Sequence, residues 1–99
     1  MKYMRTIKTD KLINQYEQIC WALGYWQRRL ELSTSLEQTK YCQAGLDRNE
    51  QSLPGWLEVM SLIGMSISDR AETRQLHFQL GVEEANEEVK WKRISQANA

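Results

Sequence analysis

At 99 residues the chain has the size of one small domain, long enough to bury about two thirds of its unfolded surface without disulfides or a metal. Thirteen lysines and arginines offset thirteen aspartates and glutamates, so no global field draws in nucleic acid or an anionic membrane, and such a partner would need a local patch. Hydrophobic residues at 41% and charged residues at 26% exclude wholesale disorder, and four Trp with four Tyr are many for this length and suit a core or an interface.

Residues 1–9 carry Lys2, Tyr3, Arg5, Ile7 and Lys8 and read as a flexible basic arm ahead of a single helical domain over 10–96. The first helix is expected to start at Thr9 or Asp10, either of which can cap it, and to run to about Leu32. Leu12, Tyr16, Ile19, Leu23, Trp26 and Leu30 recur at alternating steps of four and three and line one face of it. Gly24 weakens a helix interior by about 1 kcal/mol relative to Ala unless something packs closely there, and the surrounding Trp21, Tyr25 and Trp26 favour close approach. Cys20 falls beside the stripe as a small buried apolar side chain.

Thr34 with Glu37 forms a capping-box pattern that opens a second helix, from about Leu36 to Ala44. Gly45 suits the left-handed position after it, and the polar run Asp47 to Ser52 reads as a loop. Ser52 then caps a third helix with Pro54 in its first turn and Gly64 at its end. Leu53, Trp56, Leu57, Val59, Met60, Leu62 and Ile63 cover more than one face, which makes this the most buried element. The weakly charged stretch Leu53 to Ile67 falls short of the roughly 20 apolar residues of a bilayer span.

A long last helix is expected from Ser68 or Asp69 to about Ser95, bent at Gly81, with the stripe Ala71, Gln75, Phe78, Val82, Ala85 and Val89. Glu83, Glu84, Glu87 and Glu88 precede Lys90, Lys92 and Arg93, an order that suits the helix dipole. Leu76, Phe78 and Leu80 alternate with Gln75, His77 and Gln79, so a short strand at 75–80 is the rival. The tail 97–99 is expected to fray. Taken together these elements define an all-α fold, a small bundle of about four helices with the long first and last helices antiparallel.

The residues that could do chemistry do not converge. One histidine, His77, and two cysteines with no paired spacing supply no metal-ligand set, and no cofactor motif is present. His77 has no nucleophile elbow or Gly-rich oxyanion loop to serve, and the Glu83–Glu88 carboxylates sit beside balancing lysines, as on a solvated face. An enzyme is therefore not expected, except as a subunit whose site another chain completes. The opening residues lack a signal-peptide pattern and the two cysteines make no disulfide framework, so the expected compartment is the cytoplasm, with no membrane contact.

Two binding classes remain. Ala44-Gly45-Leu46-Asp47-Arg48 resembles the turn of a helix-turn-helix, which makes a DNA-binding regulator with a degenerate motif over 36–58 the alternative. Lys40 and Tyr41 stand where small or apolar residues should pack, Pro54 falls inside the would-be recognition helix, and Asp47 and Glu50 oppose DNA, so nucleic acid is not the expected partner. The first reading is a non-enzymatic protein-interaction module of regulator or inhibitor type, with a protein partner or a second copy as its target. Trp21 and Tyr25 lie off the core stripe of the first helix and Trp91 off that of the last. With Arg28, Arg29, Lys92 and Arg93 as a rim, they form the expected partner-binding surface. In size and composition the chain is similar to small phage or mobile-element regulators and inhibitors, a likeness that names no family.

Overall fold

The computed structural model describes residues 6–97, and within them every regular element is an α-helix: α1 (Ile7–Glu31), α2 (Leu36–Leu62) and α3 (Ile67–Ala97). Lys2, Tyr3 and Arg5 of the expected basic arm lie outside the described residues, as do the last two positions of the expected tail. Ile7 to Thr9 already belong to α1, which starts ahead of the expected Thr9 or Asp10 because Thr6 caps it. The Thr6 hydroxyl accepts from the Thr9 backbone N–H at 3.2 Å while the Thr9 hydroxyl takes the Thr6 N–H, a capping box closed by two threonines.

Three helices replace the expected four because the second and third are one. Gly45 does not end a helix; it is buried within α2, where the Trp26 ring of α1 lies against it so closely that a Cβ would meet the ring at 2.5 Å. The expected loop 47–52 is helical, and its polar side chains tie it into the coil. Gln43 Nε2 donates to Asp47 Oδ1 at 2.8 Å, Asn49 Nδ2 to the Gly45 carbonyl at 2.7 Å, and Ser52 Oγ to the Arg48 carbonyl at 3.0 Å. Pro54 sits in the helix interior rather than at a first turn, on the exposed side. The cap of α2 is also one residue later than the Thr34 pattern suggests, with Ser35 Oγ accepting from Gln38 N–H. Gly64 does stop the helix: its φ of 92° permits the Schellman closure in which Met65 N–H reaches the Met60 carbonyl and Gly64 N–H the Ser61 carbonyl.

No strand forms at 75–80, which lies within α3. The helix count also reverses a direction. With three helices joined by short turns, the first and last point the same way, and the paired positions rise together: Tyr16 with Arg70, Glu17 with His77, Gly24 with Phe78, Arg29 with Glu88. The antiparallel long pair is α1 with α2, where Trp26 packs on Tyr41 and Gly45 and Ser33 meets Thr39.

The core lies mainly between α1 and α2. Ile13, Tyr16, Cys20 and Leu23 join Leu46, Leu53, Met60 and Met65 in one buried cluster, flanked by Leu12, Ile19, Trp26 and Leu30 from the α1 stripe. Both α2 and α3 pack on α1 and scarcely touch each other. The result is an elongated molecule, 51 × 24 × 21 Å, with a radius of gyration of 15.9 Å against about 13 Å for a compact chain of this length.

Candidate functional site

The α1–α3 contact centres on small residues and is edged by polar side chains, with Phe78 reaching from α3 into the core cluster. Gly24 of α1 and Gly81 of α3 bring the two backbones together, with Ala85 fully buried one turn on. Closely spaced helices leave no room for large apolar side chains at the centre of the contact, so polar residues at its edges hold it. Glu17 and His77 Nε2 are 3.2 Å apart, and Arg28 Nε donates to Asn86 Oδ1 at 2.7 Å. At the lower end Tyr16 Oη donates to the Arg70 carbonyl at 2.9 Å, while the Arg70 guanidinium donates to the Leu57 carbonyl of α2 at 3.1 Å, tying all three helices.

The densest group surrounds Glu88. Tyr25 Oη donates to Glu88 Oε2 at 2.7 Å, Arg29 Nη1 donates to Tyr25 Oη at 2.8 Å and to Glu88 Oε1 at 2.7 Å, and Lys92 Nζ lies 3.7 Å from Glu88 Oε1. Burial, reinforced by the bond to Glu88, pushes the Tyr25 phenol up to about 12. The Tyr25 hydroxyl in turn holds the Glu88 carboxyl below its ordinary range, helped by the Arg29 and Lys92 charges against the opposing effect of burial.

The structure thus divides the expected surface. Tyr25 and Arg29 are half-buried between α1 and α3, and only 14% of the Arg29 side chain is exposed. Trp21 stacks on Tyr25 with ring centroids 5.0 Å apart and planes 11° apart, and lines a shallow hollow with Glu17 and His77. Arg29, Lys92 and Arg93 come together at one end of the bundle in a cleft of about 170 Å³ with Ser33, Thr34, Gln38 and Cys42. Arg28 and Arg93 share a separate hollow with Val89 and Ile94. Trp91 is 63% exposed and makes no ring contact with Trp21 or Tyr25; Glu88 links the two groups, because it also borders the depression that Trp91 shares with Glu84, Glu87, Lys92 and Ser95.

The sequence stripe of α3 holds over its later part: Phe78, Val82, Ala85 and Val89 are at least partly covered, whereas Ala71 and Gln75 are exposed. Sequence reasoning missed the opposite face. Leu76 is 58% exposed and Leu80 42%, and with Trp91 they lie on the side of α3 turned away from α1, while Ile94, 39% exposed, stands at the edge of that face where it borders the hollow shared with Arg28. The signal was the alternation read as a strand. In a helix Leu76 and Leu80 are only about 40° apart around the axis while Phe78 is roughly opposite both, so Phe78 meets α1 and the leucines face outward.

Among the described residues no group of three or more His, Cys, Asp or Glu side chains is placed to hold a metal, and no helix is long and apolar enough to cross a membrane. Cys20 and Cys42 are free and buried, and burial raises the Cys20 thiol, which keeps it in the unreactive protonated form. No family model matches this sequence, nor does any curated protein or solved structure.

Proposed function

We propose that this chain is a non-enzymatic protein-interaction module of regulator or inhibitor type, working in the cytoplasm by seating its third helix against a protein partner. One observation carries the reading: α3 is 31 residues long, packs mainly on α1 with only slight contact to α2, and presents Leu76, Leu80, Trp91 and Ile94 to solvent. A helix so placed has most of its circumference open, and large apolar side chains aligned on an open face are what helix-mediated recognition uses as anchors. Trp is also the residue type most enriched at binding hot spots. The helix-turn-helix alternative loses its structural premise, since 36–58 lies within one uninterrupted helix with no turn at Gly45.

The test is co-purification of the full chain from its native host after nuclease treatment, repeated with Trp91→Ala. A protein partner retained through nuclease and lost with Trp91 supports the reading. Association that nuclease abolishes, or a chain that retains nothing, counts against it.

A further inference from the structure

Resting on the interaction reading, we infer that the outer face of α3 docks a basic amphipathic helix, with apolar anchors at both ends of the contact and lysines or arginines between them. The face has a definite order along the chain. Leu76 and Leu80, four apart, form one apolar pair, and Trp91 and Ile94, three apart, form the other. Between them stand Glu83, Glu84 and Glu87, all exposed and without an ion pair among the described residues. Leu80 and Trp91 are eleven positions apart, which at the helical rise is about 16 Å, so the two pairs are separate footholds with a carboxylate cluster between.

This order selects among occupants. A second copy laid antiparallel would bring Leu80 onto Trp91 and Leu76 onto Ile94, but the same register sets Glu83 and Glu84 against Glu87, and a parallel pairing sets each glutamate against itself. Like charges juxtaposed on a desolvating surface disfavour both pairings. Nucleic acid is repelled by the same carboxylates. A helix carrying the opposite pattern satisfies both parts at once: its apolar residues cover the two pairs, and its lysines or arginines meet the three glutamates. α3 would then lie between α1 and the partner helix, giving it a second broad neighbour where α2 only grazes it.

The test is selection from a displayed library of helices of about 20 residues, the length that spans Leu76 to Ile94, with apolar, acidic and basic residues randomised. The full-length chain is the bait. Selected helices should carry apolar pairs at both ends and a basic centre, and their affinity should fall as salt is raised. Binding should weaken at least about tenfold with Trp91→Ala, and again with the joint change Glu83→Gln, Glu84→Gln and Glu87→Gln. Failure to select any helix, or selected helices without a basic centre, overturns the inference. So does a chain that sediments as a dimer and becomes monomeric with Trp91→Ala, since the face is then occupied by a second copy. Nuclease-resistant capture of a protein that Trp91→Ala abolishes but the three glutamate-to-glutamine changes leave intact keeps the interaction reading standing and overturns this one.

Discussion

Gly24 of α1 and Gly81 of α3 are each pressed against the other helix's backbone: a Cβ on Gly24 would run into the Phe78 carbonyl, and one on Gly81 into the Trp21 carbonyl and, at 2.7 Å, the Tyr25 nitrogen. Backbone atoms cannot rotate away as side chains do, so a methyl group at either position must push the helices apart. That movement pulls Ala85 out of its buried contact and stretches the bonds from Tyr25 and Arg29 to Glu88.

Gly81→Ala should therefore destabilise the chain by about 2 kcal/mol or more, although alanine is intrinsically the better helix former by about 1 kcal/mol. Gly55→Ala is the control. It lies in α2 with no atom within 4 Å of its would-be Cβ, so the propensity gain is unopposed and the variant should be more stable by up to about 1 kcal/mol. Urea unfolding of both variants checks the pair; equal gains would mean that the α1–α3 crossing is loose.

The close approach at Gly24 was legible in the sequence, because a glycine among three large aromatics in a helix invites a neighbour, but its partner was not. Gly81 reads as a bend in the sequence, and only the third dimension shows that the two glycines serve one helix crossing. The continuous α2 was legible too, in a signal that glycine and proline obscured. Cys42, Leu46, Asn49, Leu53, Trp56 and Met60 keep the alternating four and three steps straight through the supposed loop, and every one of them is at least partly buried. Gly45 and Pro54 punctuate that pattern locally, but tertiary burial of the stripe outweighs their cost to the helix. For the candidate surface, Trp91 and its exposure were readable from its position off the stripe, whereas the coverage of Tyr25 and Arg29 depends on Glu88 arriving from a helix running parallel.

Continuity of α2 has a measurable consequence. Pro54 has no N–H to give the Glu50 carbonyl, so the hydrogen-bonded ladder lacks one rung there. Amides from Gly45 to Ser52 should nonetheless exchange slowly, in step with those of Leu53 to Met60, because Leu46 and Leu53 anchor both sides of the gap in one core. Free exchange over 47–52 in a native-state hydrogen-exchange experiment would restore the loop.

The Glu88 group sets opposite dependences at the two ends of the pH scale. Glu88 has a folded value below its ordinary one, so its contribution is complete above the ordinary glutamate range and is lost as pH falls through the lower folded value. Tyr25 is raised to about 12, so its contribution is complete below the usual tyrosine value and lost as pH rises from there through about 12. Tyr16, raised chiefly by burial, adds to the alkaline loss in the same sense. Glu88→Gln should flatten the acid limb of a plot of urea midpoint against pH, whereas Tyr25→Phe should flatten the alkaline limb and, because the Tyr25 hydroxyl is the main cause of the low Glu88 value, shrink the acid limb as well. A Tyr25→Phe variant whose alkaline limb matches the parent would show that the phenol is not held as described.

Stability should also separate the aromatic residues that the sequence groups together. Leu23 is buried in the core between α1 and α2, and Leu23→Ala should cost about 2–5 kcal/mol. Tyr25→Ala removes a half-covered ring stacked on Trp21 and leaves the Arg29–Glu88 pair without its bridging hydroxyl, a loss of about 2 kcal/mol. Trp91 is mostly in water and touches no core residue of the cluster, so Trp91→Ala should change stability by less than about 0.5 kcal/mol. For a chain this size each kcal/mol moves the melting temperature by about 4–8 °C, so the three variants are separable in one set of thermal scans. A large drop on Trp91→Ala would place that ring in the packing of the free chain, and the outer face of α3 would lose its principal anchor.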